Sequence, residues 1–222
     1  ASDFLLSPMA HRPDSPDWER IGEDDGCTAY CGTYPDLPIL AMKGECLLEF
    51  PVAQVFTVLH SPDLKSRWVD RMGKWELFET DYAVNMSESL WVEIDMPWPV
   101  WNRDFLTKTN FSVDDQQQSI ICMISSVEHP DYPPKEDMVR GTVHSAHIVL
   151  KVVDPHSTWV SVQTCSDPGG MIPPMVVNMV QRSWATNTFR KIKEILKERQ
   201  WPVDPLFNKL MPQNTGVAAD GI

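Results

Sequence analysis

The chain has 222 residues and a formal net charge of −12, which fits one large domain or two small ones and disfavours nucleic acid and anionic lipid surfaces as partners. No apolar run has the length of a transmembrane helix, and the first residues lack the basic start and long apolar core of a signal peptide. We therefore expect a cytoplasmic protein, although the absence of an initial Met leaves a processed, exported form open.

Five cysteines occur in the chain, and none of them forms a CxxC pair. Cys27 and Cys31 are four residues apart, so on a strand they would lie about 13 Å apart at about 3.3 Å per residue, which is too far for a disulfide. We predict that both are free thiols, as is typical of a reducing compartment.

The first seventy residues are expected to form a leader, three strands and two short helices. Residues 1–16 are rich in Pro, Ser and Asp and predict a loose leader. Residues 17–32 contain an acidic Gly turn between two short strand patterns, and residues 38–50 predict a longer strand. A proline in the first turn favours a helix over 51–61, and a serine cap favours a second one over 61–70.

From there to about residue 166 the patterns are mainly those of strands. Apolar side chains alternate with polar ones along three stretches, which predicts an antiparallel sheet with one buried and one wet face. The residues of the buried face are Leu90, Val92, Ile94 and Met96, then Phe105, Thr107, Thr109 and Phe111, and then His144, Ala146, Ile148 and Leu150.

A long helix is predicted over about 173–199, where apolar residues recur at helical spacing along a stripe that includes Trp184. Met171, Met175 and Met179 line its start; methionine suits flexible apolar ligands, and ordinary core packing is the alternative. No pattern is evident from Trp201 onwards. One domain over residues 17–200 is therefore expected, followed by a tail at 201–222.

His144 and His147 raise the question of a metal site. An offset of three on a strand places them on opposite faces, so they are not expected to chelate a metal together. His147 is expected to be exposed to solvent. His144 is either a core histidine with a backbone partner or a polar contact inside a ligand cavity. Since the common nucleophile, phosphate-loop, dinucleotide and zinc motifs are absent, no catalytic residue, metal or cofactor is predicted.

Charged residues lie beside apolar ones at two places. Arg103 shares the buried face with Phe105, and an inward charge must be paired or functional; alternatively, Arg103 and Asp104 tie a turn together. The second group consists of Lys65, Arg67 and Asp70, which form either a surface helix face or a polar end of a cavity.

Three ordered stretches together resemble a known family. "SRWVD" at 66–70, "WPVWNRDFL" at 98–106 and "DPGGMIP" at 167–173, followed by a long amphipathic helix, are similar to the START (StAR-related lipid-transfer) domain. The similarity runs from about Asp17 to Arg199 and is closest to the phosphatidylcholine-transfer type. It implies an α+β helix-grip fold, in which a curved antiparallel sheet surrounds a lipid tunnel closed by the C-terminal helix.

The resemblance also bears on the ligand. Thr109 stands where sterol-carrying members have an inward arginine, so a phospholipid is favoured over a sterol. Lys65 replaces an arginine and Val92 a tryptophan of the phosphatidylcholine type, Asp70 matches an aspartate of that type, and His144 replaces an inward tyrosine. The expected lipid-binding residues are Lys65, Arg67, Asp70, Val92, Arg103, Phe105, Thr109, His144, Ala146, Met175, Met179 and Trp184.

These features predict a monomer that binds one lipid, contacts membranes transiently and transfers the lipid between them without catalysis. Two alternatives stay open: an enzyme similar to the polyketide aromatase/cyclases of the same broad fold, and a lipid-sensing regulatory module.

Overall fold

A computed structural model describes residues 16–34, 36–172, 177 and 184–212 of the chain. The described residues form ten strands and four helices. The strands are β1 (Glu19–Asp24), β2 (Cys27–Thr33), β3 (Leu40–Leu48), β4 (Met72–Asp81), β5 (Ser87–Ile94), β6 (Arg103–Asp114), β7 (Ser119–Ser126), β8 (Val139–Arg140), β9 (Thr142–Asp154) and β10 (Ser157–Asp167). The helices are α1 (Val52–His60), α2 (Pro62–Trp68), α3 (Trp184–Glu198) and α4 (Pro205–Leu210).

All ten strands belong to one sheet, whose order is β1-β2-β3-β10-β9-β7-β6-β5-β4. Neighbours in this order are antiparallel, as predicted, and the short strand β8 pairs in parallel with β6. The alternating stretches lie on β5, β6 and β9. Cross-strand pairs point to the same face of a sheet, so Val92 opposite Phe105, and Thr109 opposite Ile124 opposite Ala146, share one face.

The helices pack against this face, which we term the concave face. Buried side chains of α1, α3 and α4 meet those of β6, β7, β9 and β10 in the main core. Gly44 on β3 permits the close approach of α3, because a Cβ there would stand 2.7 Å from the ring of Phe189 and 2.9 Å from Ala185. The predicted α+β class is confirmed.

The prediction for Cys27 is wrong. Cys27 on β2 and Cys46 on β3 are directly opposite each other, with Cα atoms 4.3 Å apart, and form a buried disulfide. Cys31 is a buried free thiol, as expected. The spacing of Cys27 and Cys31 correctly excludes a bridge between them, but pairing with another strand depends on the hairpin register.

The described part of the predicted tail, residues 201–212, packs against the domain. Trp201, Leu206 and Phe207 lie in the main core, and Asp204 caps α4 by accepting a hydrogen bond of 2.8 Å from the amide of Leu206. Residues 1–15 of the predicted leader at 1–16, residues 173–176 and 178–183 of the predicted long helix, and residues 213–222 of the predicted tail lie outside the described residues. In the described part of the chain, no helix is long and apolar enough to span a membrane.

Candidate functional site

The concave face has two halves. In one half, residues such as Phe111, Ile120 and Leu150 are buried in the main core. In the other half, apolar side chains are only half-buried and belong to neither hydrophobic cluster; they are Val92, Phe105, Ile124 and Ala146. This second half is an apolar surface on the inner side of the sheet that the described helices do not fully cover.

Polar groups also lie on this half of the face, where Ser126 is opposite Thr107 and Thr164 is opposite Ala146. Thr107 and Thr109 are buried, and the Thr107 hydroxyl donates to the carbonyl of Leu90. Nε2 of His144 is buried and has no hydrogen-bond partner among the described residues. This nitrogen of His144 is therefore not satisfied by a backbone partner among the described residues.

His147 lies on the opposite face, as its position on the strand predicts, but it is half-buried rather than exposed. Its Nε2 is also buried, and burial lowers the pKa of the ring. The prediction of a solvated side chain is wrong because the outer face of the sheet at this point is itself half-buried.

A buried ionic cluster, which we term the His60 cluster, joins α1, β5 and the start of α4. Nε2 of His60 lies 3.0 Å from the carboxylate of Glu88, and Nδ1 lies 2.7 Å from Asp204. The hydroxyl of Tyr82 donates to Glu88 at 2.6 Å. Burial alone would lower the pKa of His60, but the hydrogen bonds to Asp204 and Glu88 raise it to about 9.

Lys65 is the member of the α2 charged group that faces this cluster. Burial would raise the pKa of the Glu88 carboxyl, but His60 and the positive charge of Lys65 hold it below its usual value. Lys65 is half-buried and has no ion pair within 4 Å among the described residues. Its ammonium group therefore acts on Glu88 through its charge and not through a direct ion pair.

Arg67 and Asp70 are placed elsewhere. The guanidinium of Arg67 is exposed and forms a bidentate pair with Glu198 of α3. Asp70 is 71% exposed and pairs with Lys191, also on α3, at 3.1 Å. These two residues tie α2 to α3 on the surface, and the structure does not bring them to the concave face.

Arg103 and Asp104 point to opposite faces of the sheet and do not pair with each other. The guanidinium of Arg103 is 3% exposed and donates to backbone carbonyls of two loops, at Trp101, Pro168 and Gly169. Asp104 is fully buried and accepts two hydrogen bonds from Arg140, at 3.0 and 2.8 Å, and a third from the indole of Trp91. The alternative that an Arg103–Asp104 pair ties a turn is therefore not realised as a direct pair; Arg103 binds loop carbonyls, and Asp104 binds Arg140.

The loops that Arg103 joins carry exposed apolar side chains. Trp98 is 92% exposed and Trp101 is 60% exposed in the loop between β5 and β6, and Met171 is 99% exposed just after β10. Trp184 is half-buried against the main core at the start of α3. Met175 and Met179 lie outside the described residues.

The described residues contain no group of three or more His, Cys, Asp or Glu side chains placed to hold a metal ion. The His60 cluster places one imidazolium between two carboxylates, and the side chains of His60, Glu88 and Asp204 are 12%, 5% and 13% exposed. Both ring nitrogens of His60 are therefore engaged by carboxylates.

A curved antiparallel sheet that holds a long C-terminal helix against one face, with an apolar surface on that face, defines the helix-grip class of α+β proteins. The sequence profile of the START domain matches residues 14–201. The chain belongs to the START domain family, as its motifs predict.

The chain is similar to several known proteins. It is 27% identical over 163 residues to human START domain-containing protein 10, covering 72% of this chain and 55% of the relative. It is 22% identical over 191 residues to the bovine phosphatidylcholine transfer protein, covering 82% and 84%. The chain thus spans about half the length of the human relative. The crystal structure of human STARD10 superposes with a TM-score of 0.74 at 20% identity, covering 88% of this chain and 77% of that one, which supports the fold.

Proposed function

We propose that this chain binds a single lipid on the apolar half of the concave face and transfers it between membranes without catalysis. The main observation that supports this proposal is the set of half-buried apolar side chains there, which includes Val92, Phe105 and Ala146. Burial of lipid chains against such a surface contributes about 0.8 kcal/mol per methylene, which offsets the loss of the bilayer environment. Family membership and the similarity to the bovine phosphatidylcholine transfer protein support this function.

A phospholipid is the favoured ligand. Lys65 supplies an inward positive charge without an ion pair among the described residues, and His144 supplies an unpaired ring nitrogen. Each of these groups can donate to a phosphate, whereas a sterol offers only an uncharged hydroxyl. Thr109 is 8% exposed and uncharged, so it does not supply the inward positive charge that sterol-carrying members have at this position. Arg103 has its donors directed at backbone carbonyls, so it does not support a headgroup contact.

A non-catalytic role is favoured over the aromatase/cyclase alternative. An enzyme of that kind would need acids, bases or oxyanion donors facing the ligand. The carboxylates near the concave face belong to the His60 cluster, where Glu88 and Asp204 both bind His60. Asp104 is committed to Arg140. His144 alone would not supply a matched acid and base.

Transient membrane contact is proposed at the end of the molecule that carries Trp98, Trp101 and Met171. Tryptophan favours the bilayer interface, where its ring is buried and its N–H stays hydrated. Because the chain carries a net charge of −12, a zwitterionic bilayer suits it better than an anionic one. We also propose that the chain acts as a monomer in the cytoplasm. The Cys27–Cys46 disulfide is an argument against this location, because cytosolic thiols are kept reduced.

Two substitutions on β9 test the site. Ala146→Trp fills the apolar half of the concave face, whereas Val153→Trp adds the same ring at a position that is 54% exposed. We expect Ala146→Trp to reduce exchange of fluorescent phosphatidylcholine between vesicles at least tenfold and Val153→Trp to leave it near wild type. Melting temperatures of both variants serve as controls for folding.

Wild-type exchange by a folded Ala146→Trp variant would place the site elsewhere. A wild-type protein that binds no lipid, by native mass spectrometry after exposure to mixed vesicles, would refute the function. One that binds lipid but does not exchange it would favour the lipid-sensing alternative.

A further inference from the structure

Arg103 is a buried cation whose partners are backbone carbonyls of two separate loops. Its Nη1 donates to Trp101 of the β5–β6 loop, its Nε to Pro168 at 3.3 Å, and its Nη2 to Gly169 at 3.4 Å. No carboxylate of the described residues lies within 4 Å of it as an ion-pair partner. A buried charge without a counter-ion is costly unless its hydrogen bonds are satisfied, so these carbonyls stabilise the guanidinium, and the guanidinium holds the carbonyls together.

The backbone beyond β10 is shaped to present these carbonyls. Gly169 and Gly170 have φ angles of 65° and 73°, in the left-handed region that favours glycine. A Cβ at Gly169 would stand 3.1 Å from the carbonyl oxygen of Arg140 on β8. The loop therefore lies tightly between β8 and the planar guanidinium, whose several N–H donors can bridge two segments at once.

In the described part of the chain, the same two loops carry three exposed apolar side chains. Trp101 is itself an acceptor residue, Trp98 precedes it in the same loop, and Met171 follows Gly169 by two positions. The Asn102 side chain closes the first loop by accepting from the amide of Met96 at 2.9 Å. Arg103 thus fixes the position of one apolar tip relative to the other.

We propose that Arg103 is a positioning residue that joins the β5–β6 loop and the loop after β10 into one membrane-docking unit. The inference rests on the proposed membrane contact and deepens it. Two apolar groups held side by side enter a bilayer as one body, so the second group binds with a high effective concentration once the first is inserted. Two groups on independently moving loops lose this advantage.

A double-mutant cycle between Arg103 and the second tip tests the coupling. Binding of Met171→Ala to phosphatidylcholine vesicles is measured by co-sedimentation in the wild-type and Arg103→Met backgrounds. Loss of the Met171 side chain, which is expected to insert into the bilayer, should weaken binding about tenfold in the wild type, from the usual burial energy of such a side chain. In the Arg103→Met background we expect the same substitution to weaken binding less than about threefold, because the tip no longer acts with its partner.

The matched control is Val84→Ala, which removes an apolar side chain that is 80% exposed in the β4–β5 turn, at the other end of β5. It should change vesicle binding equally little in both backgrounds. Arg103→Lys keeps the charge but replaces the fork of donors by a single ammonium group. Arg103→Lys should also reduce the effect of Met171→Ala, and it replaces Arg103→Met in the cycle if Arg103→Met does not fold.

The experiment distinguishes failure of the coupling from failure of the proposed membrane contact. Equal effects of Met171→Ala in the wild-type and Arg103 variant backgrounds would overturn the coupling while leaving the membrane contact intact. A wild-type protein that does not sediment with vesicles at all would overturn the proposed membrane contact and, with it, the role of Arg103. Tighter binding of phosphatidylcholine in solution by wild type than by Arg103→Lys, with unchanged membrane coupling, would assign Arg103 to the ligand instead.

Discussion

Raising the pH should remove the charge of His60 and so weaken the cluster that holds α1, β5 and the start of α4 together. The imidazolium is buried between the carboxylates of Glu88 and Asp204, and the hydroxyl of Tyr82 donates to Glu88. Lys65 is the nearby cation on the α2 side. Deprotonation leaves two buried carboxylates facing a neutral ring that can donate to only one of them.

The pKa of His60 gives the magnitude and the sign of the change in the free energy of unfolding with pH. Its folded pKa of about 9 lies above the ordinary value of 6.5, so its contribution is fully present below pH 6.5 and is lost as the pH rises through 9. Since one pKa unit corresponds to about 1.4 kcal/mol, the contribution of His60 to the free energy of unfolding should fall by about 3 kcal/mol between pH 6 and pH 9.5.

Urea unfolding at several pH values between 6 and 9.5 measures this loss. The wild type should lose about 3 kcal/mol more stability over this range than His60→Gln, whose side chain does not titrate. His156→Gln, at an exposed position, serves as the matched control and should follow the wild type. Parallel pH profiles for wild type and His60→Gln would show that His60 is not held as a cation, and would refute the raised pKa of His60.

Two further predictions concern buried partners. Asp104→Asn should lower the free energy of unfolding by about 3 kcal/mol, because it leaves the guanidinium of Arg140 without its anion; the exposed Asp115→Asn is the control, and an equally small effect of both would contradict the buried pair. Cys46→Ser should cost about 3 kcal/mol, as expected for a bridge that closes a loop of this length. Reductant should lower the stability of the wild type by a similar amount and leave the variant unchanged, whereas a wild type insensitive to reductant would argue against the Cys27–Cys46 bridge.

The faces of the sheet could be predicted because side-chain alternation is a local property of a strand. The sequence places Val92, Phe105, Thr109 and Ala146 on one side, and the strand register brings their strands together on the concave face. Arg103 could likewise be identified as an inward charge that needs partners. Its partners could not be found, because backbone carbonyls carry no residue-type signal and their positions depend on how two loops fold.

The His60 cluster shows why other parts of the site cannot be predicted from local sequence patterns. Its members come from a helix, a strand and a segment close to the end of the described chain, 28 and 144 positions from His60. No spacing rule links such residues. By contrast, the Asp204-Pro205 pair is a recognisable start signal for α4, and its six residues are simply too short to show a helical period.

The position of β10 in the sheet has a consequence for how the chain is made. β10 lies between β3 and β9, and of the described strands it is the last to leave the ribosome. Until then β1–β3 and β4–β9 are two partial sheets, each with an unpaired inner edge that must stay open. Pairing across such sequence distances is slow, and exposed edges invite association with other chains. Newly synthesised protein should therefore depend on chaperones most strongly in the interval before residues 157–167 emerge.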